Sequence, residues 1–314
     1  MFIIKQNAPT GNRFKIKRIS RPAGVFDNVC TAGSLIPENN GAESSGATGG
    51  LGTAGGIGAA AGIAGIAKEA KAHLLSRRPK FEIALPFRTP AYRSVGRHDF
   101  ALQVIGEAYK DRAPFATDDF DYLRYSIRKI QASTMIMPHK AIIRYNIEYL
   151  TTRNQEEQIE KRIVGIFEEN NIHKMAGDYA KARFIYGFIV NNVRYDETRQ
   201  KLSVHNALFD KSAVCEGCAA LLYRMLMTAK IQSKIITGKG LHERHAWNIV
   251  RLDGLWYNSD VTWDLYLGAG GVPAAYQWFL KCGRSFTGHT RDDAFNASDF
   301  NAQYPMSPND YPTM

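Results

Sequence analysis

Two apolar runs around an Asp-Gly pair at 253–254 constrain the fold more than any other feature of this sequence. HAWNIVRL precedes the pair and LWYNSDVTW follows it. Both runs are typical of β-strands, and Asp-Gly between two such strands is typical of a two-residue hairpin turn. Antiparallel pairing sets Leu252 opposite Leu255, which makes His245 and Asp260 diagonal neighbours on one face. Because diagonal side chains lie about 7–8 Å apart at the backbone, we predict a hydrogen bond between this imidazole and this carboxylate.

A buried helix with a cysteine in its first turn is predicted upstream of the hairpin. Ser212 is a suitable N-cap, and Glu216 supplies an acidic residue to the first turn. The free N–H groups and the dipole at this helix end would stabilise a thiolate at Cys215. The alternative is that Cys215 is a small buried core residue. Apolar positions recur with helical spacing through the segment: Ala219, Leu222, Leu226 and Ala229.

The order of these three residues is typical of one kind of catalysis. A cysteine at a helix N-terminus, followed by a histidine and an aspartate on adjacent strands, is the arrangement of papain-like nucleophilic enzymes. AVCEGCAALLYRML followed by HAWNIVRLDGLWYNSDVTWD resembles the transglutaminase-like superfamily, especially its bacterial members. The resemblance extends upstream through FIVNNVRYDE and downstream through YQWFLKCGRSFTGH, and it covers residues 80–170 loosely.

The resemblance implies a role for each residue of the set. It identifies Cys215 as the nucleophile, His245 as the general base and Asp260 as the carboxylate that orients the imidazole. The sequence departs from the family pattern at Cys218, where relatives usually carry an aromatic residue, and at Asn258, just before the aspartate. Neither departure removes a catalytic group.

The resemblance also implies the fold class and the domain organisation. We expect an α+β fold with a papain-like transglutaminase core, in which the N-terminus of the helix bearing the nucleophile packs on an antiparallel sheet. We assign this catalytic domain to residues 151–314. A smaller α+β segment, residues 78–150, precedes it, and a flexible N-terminal region, residues 1–77, comes first.

Local patterns predict the elements that precede the hairpin. KFEIALPF and KAIIRYNIEYLT have strand-like patterns, whereas DFALQVIGEAYKDR, DDFDYLRYSIRKI and NQEEQIEKRIVGIFEENN have helical ones. A further helix is predicted in GDYAKARFIYGFIVNNVRYD, with Asp178 as its N-cap. Its predicted core residues are Tyr179, Phe184, Ile185, Phe188 and Ile189.

Four residues are predicted to support the site without reacting. Trp247 would pack on the imidazole ring or stabilise the hairpin, and Glu216 would lie beside the nucleophile. His205 or Asn206, upstream of the nucleophile, would help to bind the oxyanion. The main oxyanion donor is expected to be the backbone N–H of Cys215.

Three other polar residues are assigned roles outside the catalytic set. We assign structural roles to His289 and Cys282, and we expect Asp264 to cap or close the loop after the second strand. A zinc site built from Cys215, Cys218, His242 and His245 is the rival interpretation. The spacing between the two pairs is long for a compact zinc finger, and this interpretation leaves Asp260 without a role. We therefore predict no metal and no cofactor.

A Gly/Ala-rich segment interrupts the N-terminal region. Residues 44–67 carry no charge and include nine glycines and seven alanines. A flexible linker is the favoured interpretation, because Gly is a poor helix former and the segment is weakly hydrophobic. Insertion into a membrane through small-residue spacings is the alternative. The Ala- and Lys-rich segment Ile66–Leu75 is predicted to turn helical where the linker ends.

Charge and cysteine content add limits on partners and compartment. The net charge is +10, but no Lys/Arg run resembles a nucleic-acid reader, so no nucleic-acid partner is expected. Four cysteines in 314 residues do not form a disulfide scaffold, and the N-terminus lacks a signal-peptide pattern. A cytoplasmic location is the default expectation, with export by a signal-independent route still open.

The reaction predicted from these residues is attack on an amide bond of a protein or peptide. A thioester on Cys215 would then be hydrolysed by water, as in a protease or amidase. Two alternatives stay open. One is transfer of the acyl group of a glutamine side chain to an amine or to water, which would crosslink or deamidate a protein. The other is a non-catalytic module that binds peptides in the same cleft.

Overall fold

The computed structural model describes residues 2–5, 15–18, 62–86, 100–110, 120–137, 139–268 and 276–312. These residues fall into two compact units. The first, which we call the site unit, comprises Tyr186–Leu222 and Ile236–Met314 together with Met1–Asn28. The second unit comprises Val29–Ile185 and Tyr223–Ile235. The domain boundaries predicted at 77/78 and 150/151 stay predictions.

Eleven strands and nine α-helices occur in the described part of the chain. The strands are β1 (Phe2–Lys5), β2 (Lys15–Arg18), β3 (Lys80–Pro86), β4 (Ile127–Met137), β5 (Lys140–Tyr149), β6 (Arg194–Tyr195), β7 (Ser212–Ala213), β8 (Ser233–Gly240), β9 (Glu243–Leu252), β10 (Leu255–Ser259) and β11 (His289–Arg291). The helices are α1 (Ile63–Leu75), α2 (Phe100–Ala108), α3 (Phe120–Tyr125), α4 (Arg153–Glu169), α5 (Gly177–Asn192), α6 (Val204–Phe209), α7 (Cys215–Thr228), α8 (Val261–Gly268) and α9 (Ser298–Gln303).

The site unit contains a four-stranded sheet of order β10-β9-β8-β11. The two outer strands, β10 and β11, are each antiparallel to their neighbours. Helix α7 packs on β9, where the Asn248 side chain donates to the Ala219 carbonyl at 3.1 Å. Every residue from Gly217 to Met227 is buried, so this helix is covered on all sides, as core helices are; Arg224 is the one charged residue of the stretch. The predicted α+β class, with the cysteine helix packed on an antiparallel sheet, is confirmed.

A three-stranded antiparallel sheet of order β3-β5-β4 belongs to the second unit. Strand β3 alternates between exposed and buried side chains, as a sheet covered on one face requires. Ile66 and Leu74 of α1, Phe100 of α2 and Ile143 of β5 share its core. The strands predicted from KFEIALPF and KAIIRYNIEYLT and the helix predicted from DFALQVIGEAYKDR are confirmed.

The sequence pattern misassigned one stretch of the second unit. DDFDYLRYSIRKI was expected to be one helix, but α3 ends at Tyr125 and strand β4 starts at Ile127. The hydroxyl of Ser126 donates to the Leu123 carbonyl at 2.7 Å and closes the last turn. Ile127 and the residues after it then pair with β5, because long-range pairing outweighs the weak local helical spacing.

Helices α4 and α5 follow the prediction with corrections of detail. Thr152 and Gln155 form a capping box at the start of α4. Helix α5 begins at Gly177, so Asp178 lies in its first turn and is not the N-cap. Of its predicted core residues, Ile185 and Ile189 are buried, whereas Tyr179, Phe184 and Phe188 are only half-buried. Tyr186 is also buried, although the pattern did not single it out.

The N-terminal region is only partly described. Strands β1 and β2 pair in an antiparallel hairpin that the sequence pattern did not predict. Most of the Gly/Ala-rich segment lies outside the described residues, and from Ile63 onward its end forms α1, so the predicted helix after the linker is confirmed and begins earlier. Among the described residues, none of the helices combines the length and the apolar character needed to cross a membrane.

Candidate active site

The β9–β10 hairpin has the predicted turn and the predicted register. Asp253 and Gly254 both have positive φ angles, 49° and 85°, as a type I′ turn requires. Leu252 pairs with Leu255, and the ladder runs on to Ser259 opposite Asn248. The second strand was expected to continue to Trp263, but it ends at Ser259 because helix α8 begins at Val261.

Asp260 ends the strand and caps the helix. Its Oδ1 accepts the backbone N–H groups of Thr262 at 2.9 Å and Trp263 at 3.3 Å, the two bonds typical of an aspartate N-cap. Its Oδ2 lies 2.7 Å from His245 Nε2, which is the hydrogen bond predicted from the hairpin register. One carboxylate therefore fixes both the start of α8 and the orientation of the imidazole.

The pKa of Asp260 is held well below its usual range. Burial would raise it, since the residue is fully buried, but the charge and hydrogen bond of His245 and the hydrogen bond of a second histidine outweigh burial. An ionised carboxylate only accepts hydrogen bonds, so His245 Nε2 carries the ring proton. Nδ1 of His245 is then the nitrogen with a free lone pair, and it is the one that can act as a base.

The second histidine is His289, which the sequence analysis had assigned a structural role. Its Nε2 lies 2.9 Å from the same Oδ2 of Asp260. Strand β11 brings it there, because His289 pairs with Gly240 at the end of β8. The sequence contains no signal for this contact. His289 follows Asp260 by 29 residues, and β8, the strand with which β11 pairs, is not adjacent to it in the sequence.

Cys215 is the first residue of α7, as predicted, but its thiol is protonated in this arrangement. The sulfur donates to Glu216 Oε2 at 2.9 Å. Burial and the negative charge of Glu216 raise the pKa of the Cys215 thiol well above its ordinary value, against a hydrogen bond from the Ala246 backbone that lowers it. Desolvation and the Glu216 carboxylate thus act against the stabilisation of a thiolate that the helix end provides.

The Ala246 contact links the nucleophile to the strand that carries the candidate base. Ala246 follows His245 in β9, so its hydrogen bond sets the Cys215 sulfur against the backbone beside the imidazole. Two glycines permit the close packing around this pair. A Cβ on Gly217 would lie 2.8 Å from the Ala213 Cβ, and a Cβ on Gly240 would lie 3.0 Å from the His245 ring.

The start of α7 differs from the prediction in one detail. Ser212 was expected to be the N-cap, but it lies in β7, which pairs in parallel with β6. The helix begins three residues later, at Cys215.

The residues predicted to support the site divide into two groups. Trp247 is fully buried and lies parallel to the His245 ring, with centroids 6.1 Å apart. Glu216 contacts the nucleophile, as described above. Asn206, in contrast, caps α6 with Ser203 and donates to Asp210 at 3.0 Å, and His205 stacks on Phe209.

Asp264 closes a loop, as predicted. Its carboxylate accepts the backbone N–H groups of Gln277 at 3.0 Å and Trp278 at 3.1 Å, and the Tyr186 hydroxyl at 2.6 Å. Burial raises the pKa of Asp264 to about 6, against these three hydrogen bonds. Tyr186 OH also lies 2.8 Å from the Asp260 carbonyl oxygen, so this network supports the chain at the candidate site.

One set of side chains has the donor types of a metal site. Atoms of His245, Asp260 and His289 lie within 4.8 Å of one another. Both ring nitrogens concerned are already hydrogen-bonded to one carboxylate oxygen, and a metal there would take the lone pairs of both histidines. We therefore assign the set to hydrogen bonding. Among the described residues, the rival set of Cys215, Cys218, His242 and His245 does not form a cluster of potential metal ligands.

Comparison with known proteins gives matches to the part of the chain that holds the site. Residues 169–261 match the family described as the transglutaminase-like superfamily. The kyphoscoliosis peptidases of Mus musculus and Homo sapiens are each 30% identical to the chain over 104 residues, which is 27% of this chain. The matched region is only 16% of the length of those proteins.

Two solved structures are similar at lower identity. A crystal structure of a TGase shares 14% identity over 43% of this chain and 44% of its own, with a TM-score of 0.33. A candidate cysteine protease from Cytophaga hutchinsonii shares 15% identity over 52% of this chain and 65% of its own, with a TM-score of 0.32.

The family match and the site coincide. Cys215, His245 and Asp260 all fall inside the matched residues, on a helix and a hairpin in the order that the motifs predicted. His289 lies beyond the match. Residues 169–261 of this chain thus match a transglutaminase-like superfamily core that includes all three motif residues.

Proposed function

We propose that this protein is a cysteine enzyme that hydrolyses amide bonds of proteins or peptides through a thioester on Cys215. The observation that carries the proposal is the 2.7 Å hydrogen bond from His245 Nε2 to Asp260, on the hairpin whose Ala246 backbone bonds to Cys215. That bond leaves Nδ1 of His245 free to take a proton. The name of the curated relatives, peptidase, favours hydrolysis over transfer.

The reaction starts from a neutral thiol. Because the pKa of Cys215 is raised, the thiol keeps its proton until a substrate carbonyl is in place. His245 Nδ1 then takes the proton as the sulfur attacks the carbonyl carbon, and Asp260 stabilises the imidazolium that forms. The C–N bond breaks, and His245 gives the proton to the departing amine.

The second half of the reaction releases the acyl group. Water attacks the thioester, His245 takes one of its protons, and the sulfur leaves and is protonated again. The negative oxygen of each tetrahedral intermediate needs hydrogen-bond donors. The backbone N–H of Cys215 supplies one, since the first N–H groups of a helix have no partner within the helix.

A digest with a peptide library tests the proposal. The full chain and the Cys215→Ala variant are incubated with the library, with and without an alkylamine, and the products are analysed by mass spectrometry. We expect new peptide termini from the wild type and a loss of roughly 10³-fold or more in the variant, because the nucleophile is removed. Cys282→Ala, which removes another buried cysteine outside the candidate site, is the matched control and keeps full activity.

The other outcomes assign the alternatives. Amine adducts or deamidation at glutamine, lost in Cys215→Ala, would replace hydrolysis of the main chain by glutamine acyl transfer. Full activity in Cys215→Ala would overturn the mechanism.

A further inference from the structure

We infer that His289 carries protons on both ring nitrogens and holds the Asp260 carboxylate in the orientation that His245 requires. His289 is thus a positioning residue for the candidate site. The inference rests on the proposed function, because it concerns the same carboxylate. It goes beyond the three residues that the motifs identify.

The hydrogen bonds of His289 require two donors. Nε2 lies 2.9 Å from Asp260 Oδ2, and Nδ1 lies 3.2 Å from the backbone carbonyl oxygen of Thr287. A carbonyl oxygen has no proton to give, and neither has an ionised carboxylate. Asp260 is kept ionised by the two backbone N–H groups on its other oxygen. Each nitrogen of His289 must therefore donate, and an imidazole with two N–H groups is a cation.

The surroundings of the ring suit a cation. Phe286 stacks on it with centroids 3.8 Å apart, and Trp263 lies 4.0 Å away. The faces of aromatic rings carry negative potential and attract cations, most strongly for Trp. The side chain is only 2% exposed, so water takes little part in stabilising the charge.

The charges of the cluster balance at each stage of the proposed reaction. The titratable groups that contact His289 are Asp260, by hydrogen bond, and His245, with ring centroids 5.6 Å apart. In the resting state the His289 cation offsets the Asp260 anion, while His245 and Cys215 are neutral. When Cys215 gives its proton to His245, one anion and one cation appear together. Among these four groups the charges therefore stay paired, and an unpaired buried charge would be costly. Glu216, which is only half-buried beside Cys215, is outside this balance.

The geometric role follows from the shared oxygen. His245 and His289 approach Oδ2 from two sides, while the helix start holds Oδ1. Without His289, only His245 would hold the Oδ2 side of the carboxylate. His245 itself must keep its orientation while it moves a proton. We expect the loss of this donor to slow the reactions of Cys215 that depend on His245.

The test uses two variants of the full chain, one that lacks the aromatic ring and one that lacks the N–H donor. His289→Gln keeps an N–H near the position of Nε2 but loses the aromatic ring. His289→Phe keeps the ring but loses the donor. The readout is the pH–rate profile for alkylation of Cys215 by chloroacetamide, which needs no substrate. His173→Gln, an exposed histidine outside the site, is the control.

A positioning role predicts one order of rates. We expect His289→Phe to be slower than wild type by about tenfold or more, as loss of a hydrogen bond to a charged group implies, and His289→Gln to recover part of that loss. A merely structural ring would give the reverse order. A rate in the Phe variant equal to that of wild type or above that of the Gln variant would overturn the inference. If His245→Ala also leaves the rate unchanged, the proposed function itself fails.

A second measurement uses only the wild-type protein, so it does not depend on whether a variant folds. Side-chain nitrogen NMR of the wild-type protein at neutral pH distinguishes a ring with two N–H groups from a neutral tautomer. We expect His289 to show two protonated nitrogens and His245 to show one. A neutral tautomer at His289 would contradict the inference even if the alkylation rates agreed with it.

Discussion

Each unit contains a mostly buried carboxylate held between two basic side chains. In the site unit, Asp260 lies between His245 and His289. In the second unit, Glu156 lies between Arg77 at 2.8 Å and Arg224 at 3.5 Å. Glu156 is also bonded to two hydroxyl groups, those of Tyr122 and Thr151.

The two clusters differ in whether their cations can give up a proton. An arginine stays charged at all accessible pH values, so neither cation of the Glu156 cluster can give up a proton, and we assign the cluster to joining parts of the fold. A histidine gains and loses a proton near neutral pH, so the Asp260 cluster can hold a base. The same carboxylate chemistry is thus structural with arginine and available for proton transfer with histidine.

Asp260→Asn should have the largest effect on activity. The amide can present its NH₂ group to His245 and favour the wrong tautomer, with the proton on Nδ1. We expect the rate of peptide hydrolysis to fall by about 10³–10⁴-fold, as removal of the charge from an orienting aspartate does in other triads. The rate of hydrolysis by the purified variant, with folding checked by circular dichroism, is the measurement. A loss below about tenfold would show that Asp260 acts through the fold alone.

Glu156→Ala should have the largest effect on stability. It leaves the Arg77 guanidinium without its carboxylate in a mostly buried place, where Arg77 and Glu156 are only 5% and 17% exposed. Arg224 loses its 3.5 Å contact with Glu156 but keeps Glu160 at 2.6 Å. We expect the free energy of unfolding to fall by about 3–5 kcal/mol in urea titrations.

The neighbouring residue offers a matched control for that prediction. Glu157 is 56% exposed and pairs only with Arg153 one turn away, so Glu157→Ala should cost less than about 1 kcal/mol. Equal losses in the two variants would contradict the distinction between the clusters. The rate of Cys215 alkylation in the folded fraction should be unchanged by Glu156→Ala.

The sequence predicted the two clusters unequally. The contact between His245 and Asp260 is encoded locally, because a two-residue turn fixes the register of the strands that follow it. Glu156 and Glu157 are adjacent in NQEEQIEK, and only the helix packing distinguishes the buried one from the exposed one.

The missed features share one physical cause. His289 reaches Asp260 through a three-residue edge strand, and β4 becomes a strand by pairing with β5. Both depend on a partner strand outside the stretch itself, which the apolar spacing of that stretch does not encode. The raised pKa of Cys215 was missed because burial and the rotamer of Glu216 are tertiary properties.

Asp264 extends the comparison to a carboxylate with neutral partners. It is fully buried, like Asp260, but the hydrogen bonds that it accepts come from Tyr186 and two backbone N–H groups. Burial therefore dominates and raises the pKa of Asp264 from 3.8 to about 6. A folded-state pKa above the unfolded value stabilises the fold below pH 3.8, and this contribution is lost as the pH rises through about 6.

Asp264→Asn should flatten this part of the stability profile. We expect the free energy of unfolding of the wild type to fall by on the order of 1–3 kcal/mol between pH 4 and pH 7 because of this group. The variant lacks the titrating carboxyl, so its free energy of unfolding should not include this decrease. Urea titrations of both proteins across this pH range give the free energy of unfolding as a function of pH. The slopes of the two curves are compared, so a constant difference in stability between the proteins does not affect the result. Parallel curves would show that Asp264 is ionised throughout, as Asp260 is.

Glu216→Gln gives the smallest expected effect and tests the remaining carboxylate at the site. Glu216 accepts the Cys215 thiol proton at 2.9 Å, and its charge adds to burial in raising the pKa of that thiol. Glutamine removes the charge but keeps the size, so more thiolate forms at neutral pH. We expect chloroacetamide to alkylate Cys215 up to about tenfold faster, because the pKa of the thiol falls when the charge is removed.

The control for this prediction is Glu168→Gln, an exposed glutamate on α4, which should leave the alkylation rate unchanged. The variant rate should converge with the wild-type rate at high pH, because both thiols are then ionised. If Glu216→Gln is slower than wild type at neutral pH, Glu216 assists the thiol instead of restraining it. The neutral resting thiol would then be wrong, and the charge balance proposed for Asp260 and His289 would have to include a thiolate from the start.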